Sequence, residues 1–202
     1  MDIIKKFQDE IVDHDNTKNI VYSYTQINDF FVLHIFNKYK ESINIKNKKF
    51  YKLLSNMLFD KNTETKSACF NYEHMNNDDI LYSYNDSQII NRFLSIEYTF
   101  ILIDKKFEPI SLVALENNYI YNVCTDLNKR KNNYMSLLLG HIFRLIKKNK
   151  LFVDVNYNDL KLTIRNDNPI KKKLIKYYDK FNFKLCDSIN PSNMYILMKI
   201  SK

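Results

Sequence analysis

Arg130 and Lys131 stand just ahead of a run in which Met135, Leu138, Leu139, Ile142, Leu145 and Ile146 return at three- and four-residue steps, the spacing of one apolar helix face. The first N–H groups of a helix have no partner inside it, and its dipole adds partial positive charge there. Two cationic side chains immediately upstream make the loop formed by Arg130, Lys131, Asn132, Asn133, Tyr134, Met135 and Ser136 suited to a phosphate or pyrophosphate. Before it, Tyr119, Ile120, Tyr121, Val123, Cys124 and Thr125 are strand formers, so the chain reads strand, basic loop, helix. That order is also an ordinary crossover, and a second feature is needed to decide between the two.

Other reactive residue types carry less. Cys124 has no histidine beside it and reads as a small buried strand residue rather than a nucleophile. His34 lies in an apolar run and reads as a core histidine, whereas His141 falls on the polar side of its helix and reads as a surface residue. Cys69, Cys124 and Cys186 are odd in number and lack CxxC or Cys/His ligand spacing, so neither a disulfide framework nor a metal site is expected, and reduced thiols in a cytosolic setting are. Lys171, Lys172, Lys173 and Lys176 read as a solvated helix face, with nucleic-acid binding the lesser reading.

The elements that must position the loop follow from pattern. At 202 residues, with 45% hydrophobic and 14% aromatic residues, the chain buries enough surface for one full core. Its net charge of +8 favours a polyanionic partner without choosing one. No run of about 18 apolar residues occurs and the N-terminus has no apolar signal region, so a cytoplasmic protein, monomer or homodimer, without a membrane span is expected. Heavy use of Asn, Lys, Ile and Tyr beside a single glycine points to an AT-rich coding sequence.

Apolar spacing predicts helices over 1–15, 25–40 and 50–59, a polar loop over 61–79 shaping a substrate entrance, and a short helix within 83–93. The character then changes. Strands over 96–103 and 110–116 form a hairpin, and Asn117 and Asn118 turn the chain into the strand 119–125. After the helix come a short apolar run at 151–156 and a strand at 160–165, the latter parallel to the 119–125 strand because a helix connects them. Asn166, Asp167, Asn168 and Pro169 supply a cap and a proline start for a last helix at 170–181, and strands near 183–187 and 194–200 close the chain as a hairpin. The expected fold is α+β, one domain: a mixed, mostly antiparallel sheet with a central parallel pair and helices on both faces, 1–95 being a helical N-terminal part and 96–200 the core.

This order and two stretches together resemble the GNAT superfamily of acyl-CoA-dependent N-acetyltransferases. That family has a strand leading into an Arg/Gln-x-x-Gly-x-Gly/Ala loop, matched here by Arg130, Lys131, Asn132, Asn133, Tyr134 and Met135. Downstream, Asn166, Asp167, Asn168 and Pro169, then Tyr178, Asp179, Lys180, Phe181, Asn182 and Phe183, stand where the family has an Asn before a helix and an ending close to Tyr-x-Lys-x-Gly-Phe. The loop glycines are replaced by Asn133 and Met135 and the later one by Asn182; asparagine tolerates positive φ and can keep such turns.

The resemblance implies acetyl-CoA as cofactor, a sheet splayed at the parallel pair to receive it, and an amine acceptor that attacks it directly. Backbone groups of Val123, Cys124 and Thr125 would pair with the pantetheine amides, the loop from Arg130 to Ser136 would hold the pyrophosphate, and Asn168 would contact the pantetheine arm. Tyr178 would stand beside the departing sulfur as acid, and Glu116 or Glu97 would serve as general base. Nucleic acid becomes the lesser alternative, beside a GNAT-like binding protein without turnover.

Overall fold

The chain has one glycine, Gly140, and it lies inside a helix without positive φ. The left-handed turn positions that glycine usually takes are filled instead by Asn28, Asn117, Asn118, Asn133 and Asn182, at φ between 47° and 66°, and by Phe107 and Lys131. Asparagine leads because its short polar side chain bonds the local backbone and makes this conformation less costly than for other side chains.

The structure is a computed structural model and describes residues 20–39, 45–58, 90–91, 94–148, 154–166, 168–186 and 195–201. Its strands are β1 (Ile20–Ile27), β2 (Phe30–Asn37), β3 (Tyr98–Ile103), β4 (Pro109–Glu116), β5 (Tyr119–Thr125), β6 (Lys161–Arg165), β7 (Phe183–Leu185) and β8 (Tyr195–Ile200). Among the described residues the helices α1 (Lys48–Leu58), α2 (Tyr134–Lys147) and α3 (Lys171–Asp179) accompany them. The strands form one sheet in the order β1-β2-β3-β4-β5-β6-β8-β7. β5 and β6 pair in parallel, whereas β1/β2, β2/β3, β6/β8 and β7/β8 pair antiparallel. The chain divides into two compact units, Met1–Ala114 with Asn122–Gly140, and Leu115–Tyr121 with His141–Lys202.

In the first unit β2, β3 and β4 are buried on both faces. Phe50, Leu54, Met57 and Leu58 of α1 cluster with Phe31, Leu33, Ile35, Ile101, Ile103, Leu112 and Ala114. The residues between these, Val32, Leu102 and Val113, point the other way and are equally buried. On that side Phe30 meets Tyr134, at the start of α2, edge-on at 5.2 Å. Asp104 builds the β3–β4 turn: its Oδ1 accepts from the backbone N of Lys106 and Glu108 at 2.9 and 3.0 Å, which lets Phe107 sit at φ 65°.

The second unit alternates. Leu162, Ile164, Ile196, Met198 and Ile200 are buried, while Thr163, Tyr195 and Lys199 between them are exposed. Phe143 of α2 gathers Tyr157, Phe181 and Phe183 around its ring at 5.5–6.0 Å. The Asn117–Asn118 turn, both residues at positive φ, is locked by the Asn118 Oδ1, which accepts from the Asn156 backbone N at 2.6 Å.

Several expectations are corrected. Residues 25–40 are not a helix: β1 and β2 form a hairpin through Asn28 and Asp29, because a strand buried on both faces shows a continuous apolar run that imitates a helix. Strand β3 begins at Tyr98, so Glu97 lies just before it. Residues 154–156 form no strand, although Val155 is buried, and α3 starts at Lys171. His141 is buried rather than exposed, and burial followed by the nearby Arg144 charge lowers its pKa to about 4. Cys124 is disulfide-bonded rather than a reduced thiol. The expectations for 1–15, 61–79, most of 83–93 and 151–153 also lie outside the described residues.

Candidate functional site

The loop after β5 is built from its own carbonyls inward. Asp126 donates its N–H to the Ile110 carbonyl at 2.9 Å, and its Oδ1 accepts from the Asn128 N–H at 2.8 Å, starting a single 3-10 turn over Leu127–Lys129. Lys129 N then donates to Asp126 O, Arg130 N to Leu127 O, Arg130 Nε to Thr125 O at 3.2 Å and Asn132 Nδ2 to Lys129 O at 3.3 Å. Asn133 O receives the Leu137 N–H as the first bond of α2. Five carbonyls, of Thr125, Asp126, Leu127, Lys129 and Asn133, are thus occupied by donors from the same segment.

Lys131 and Asn133 take φ 71° and 58°, a local reversal of the kind that turns successive amides to one side. Helix α2 has no acidic residue in its first turn, so its positive end is not neutralised from within. Arg130, Lys131, Asn132 and Asn133 are exposed, and Tyr134, Met135 and Ser136 are half-buried. Partial burial lowers the Arg130 pKa while the Asp126 charge opposes it; a guanidinium stays cationic in either case.

Strand β5 pairs with β6 through Tyr119 and Ile120, so Val123, Cys124 and Thr125 lie beyond that register. Thr125 Oγ1 meets Ser111 Oγ at 3.0 Å on the neighbouring β4, while Cys124 is buried with Sγ 3.5 Å from Met57 O. That sulfur, held in a disulfide, has no proton to donate and makes only a packing contact.

The remaining expected site residues divide between the units. Glu97, half-buried before β3, belongs to the first, and its carbonyl accepts from Asn37 N at 2.8 Å. Glu116, at the end of β4 and half-buried, belongs to the second with Asn168 and Tyr178. Asn168 Oδ1 accepts from Ile170 N and its carbonyl from Lys171 N, both at 2.9 Å, which starts α3. Tyr178 is 7% exposed, its ring set against Tyr177 and Phe183. Burial, with Tyr177 beside it, holds the phenol far above its usual pKa.

No protein-family model matches the chain, and no curated protein matches it by sequence. Solved structures do. PH1933 from Pyrococcus horikoshii OT3 is similar at 13% identity and a TM-score of 0.52, over 80% of this chain and 96% of that one. The PaiA N-acetyltransferase from Thermoplasma acidophilum, in complex with coenzyme A, is 14% identical over 76% and 94%, at a TM-score of 0.49. Arabidopsis thaliana Naa50, in complex with a bisubstrate analogue, is 20% identical over 52% and 72%, at a TM-score of 0.39. The likeness to PH1933 supports the fold described above, an α+β mixed sheet of eight strands with one parallel pair. At these identities the likeness concerns the fold alone.

Of the three residues that replace glycines of the resembled motifs, Asn133 and Asn182 take positive φ and Met135 does not; Lys131, between Arg130 and Asn132, also takes positive φ. Sequence reasoning missed the residues that anchor the loop from behind. Lys129 Nζ lies 3.4 Å from Glu108 Oε2, 3.6 Å from Asp104 Oδ2 and 3.5 Å from Pro109 O, although it reads as one more surface cation in the run before the helix. No periodicity links Glu108 to Lys129, 21 residues later; the adjacency of β4 and β5 in the sheet does.

Proposed function

We propose that the chain is an N-acetyltransferase that passes an acetyl group from acetyl-CoA to a primary amine by direct attack in one ternary complex. The observation that carries this reading is the loop from Arg130 to Asn133, cationic, closed upon its own carbonyls and twice at positive φ without glycine. Each such non-glycine conformation costs on the order of 1 kcal/mol, and costs of this kind persist where a ligand needs the geometry. N–H groups of Lys131 to Ser136, with the Arg130 and Lys131 charges, would hold the pyrophosphate, and Val123 to Thr125 would offer backbone to the pantetheine amides.

The chemistry asks two things of this chain. As the amine nitrogen bonds to the thioester carbon it must lose a proton, and Glu116 or Glu97 would accept it, directly or through one water. As the carbon–sulfur bond breaks, the electron pair goes to sulfur, and Tyr178 would meet the thiolate with its O–H. A phenol held above its usual pKa of about 10 stays protonated at neutral pH and stabilises a thiolate, whose pKa is ordinarily about 8.5, by a hydrogen bond, with final protonation from solvent. Asn168 would contact the pantetheine arm through its amide nitrogen, its oxygen being engaged at the start of α3.

Purified protein with acetyl-CoA and separate acceptors (a peptide N-terminus, a lysine side chain, a polyamine, an amino sugar) tests the reading by thiol release and product mass. Acetylation of one class above the rate without protein is expected. No release with any of them would overturn turnover and leave CoA binding to be judged by itself.

A further inference from the structure

Two carboxylates stand behind a loop that would hold a phosphate, and one lysine lies against both. Asp104 and Glu108, from the β3–β4 turn, are the wrong charge for an anion site, with side chains 26% and 28% exposed. Lys129, 25% exposed, turns its ammonium toward them and toward the Pro109 carbonyl instead of following Arg130 and Lys131 outward. Lys49 of α1 meets the other oxygen of Glu108 at 3.2 Å, from a side chain 69% exposed. The Glu108 carboxyl is held below its usual pKa by the Lys49 hydrogen bond first and by Lys129 beside it, so it is ionised at neutral pH.

We infer that Lys129 is a positioning residue for the phosphate loop: it neutralises Glu108 and Asp104 and ties the loop to the β3–β4 turn, without itself binding the phosphate. This rests on the reading of the loop as a CoA site. The backbone supports the assignment, because Lys129 N closes the 3-10 turn onto Asp126 O and Lys129 O receives Asn132 Nδ2, so the ammonium anchors the residue on which the outward-facing part turns. Removing that charge would leave the negative charge of Asp104 and Glu108 less compensated behind an anion site, with Lys49 still on Glu108, and release the anchor; both effects weaken phosphate binding.

A charge cycle separates a positioning lysine from a phosphate ligand. CoA affinity is measured by titration calorimetry for the wild type, Lys129→Met, Lys129→Arg, Glu108→Gln and Lys129→Met with Glu108→Gln, with melting temperatures alongside. Lys129→Met should lose roughly tenfold in affinity, Lys129→Arg should stay within about threefold of wild type, and the double variant should recover most of the loss because the repelling carboxylate has gone. Unchanged affinity in Lys129→Met, or a double variant as weak as the single, would overturn the inference. If Lys129→Met does not fold, Lys129→Gln takes its place in the cycle, with the same expected loss and the same recovery when Glu108→Gln is added, and unchanged affinity or no recovery overturns the inference. A wild type that binds no CoA removes the reading of the loop itself and the inference with it.

Discussion

Arg130 Nε donates to the carbonyl oxygen of Thr125 at 3.2 Å, so the cationic loop is pinned to the end of the strand from which it leaves. One guanidinium thereby closes the loop at its root. The Thr125 carbonyl oxygen has a second lone pair beside the one that accepts from Arg130.

Replacing Arg130 and Lys131 together with alanine should weaken CoA binding by on the order of tenfold or more, since two charges and the Thr125 pin are lost at once. Alanine at Lys171, Lys172 and Lys173 should cost much less, because the first of these already donates to Asn166 Oδ1 at 2.7 Å and the other two are exposed. Titration of the two variants compares them, and equal losses would move the anion site to α3.

Tyr178→Phe keeps the ring among Tyr177 and Phe183 and removes only the hydroxyl. With the acceptor known, kcat should fall on the order of 10² to 10⁴ while CoA affinity and melting temperature change little. Unchanged turnover would return Tyr178 to the core.

His141 gives the fold a pH dependence. The folded state keeps its imidazole neutral down to about pH 4, whereas the unfolded chain takes up the proton near pH 6.5. The unfolded state is therefore the better proton binder between these values, and stability is lost as pH falls from about 6.5 to 4, by on the order of 2 kcal/mol. Denaturant unfolding across this window should show the slope, and His141→Gln should flatten it; an identical slope in the variant would assign the loss to other groups.

Phe183, fully buried beside Phe143 and Tyr178, holds the second unit together. Phe183→Ala should destabilise by about 3–5 kcal/mol, as large-to-small core changes do. A loss below about 1 kcal/mol in urea unfolding would mean that the aromatic cluster repacks.

The part of the fold legible in the sequence is the part with one-sided burial or strong punctuation. Strands β3 to β5 were bounded by the turn at Lys105 to Pro109 and by Asn117–Asn118, helix α2 by its apolar face, and the parallel partner β6 by the crossover rule. The hairpin of β1 and β2 was lost because Phe31 to Ile35 are buried on both faces, and Asn28–Asp29, a two-residue turn with φ 52° at Asn28, was passed over as helix interior. At the site, the loop and its asparagine turns could be read from residue types. The inward turn of Lys129, the pin from Arg130 to Thr125 and the burial of His141 could not, since each depends on which strand lies alongside or which face is covered.

The central claim is that the loop from Arg130 to Ser136 holds CoA, and thermal unfolding of the purified chain with and without CoA tests it most directly. At a concentration about a hundred times the dissociation constant, binding to the folded state alone adds roughly 2.7 kcal/mol, which for a chain of this size raises the melting temperature by about 5–10 °C. A rise of that size, lost in the Arg130 and Lys131 double variant, is the expected result. No shift at millimolar CoA would contradict the account.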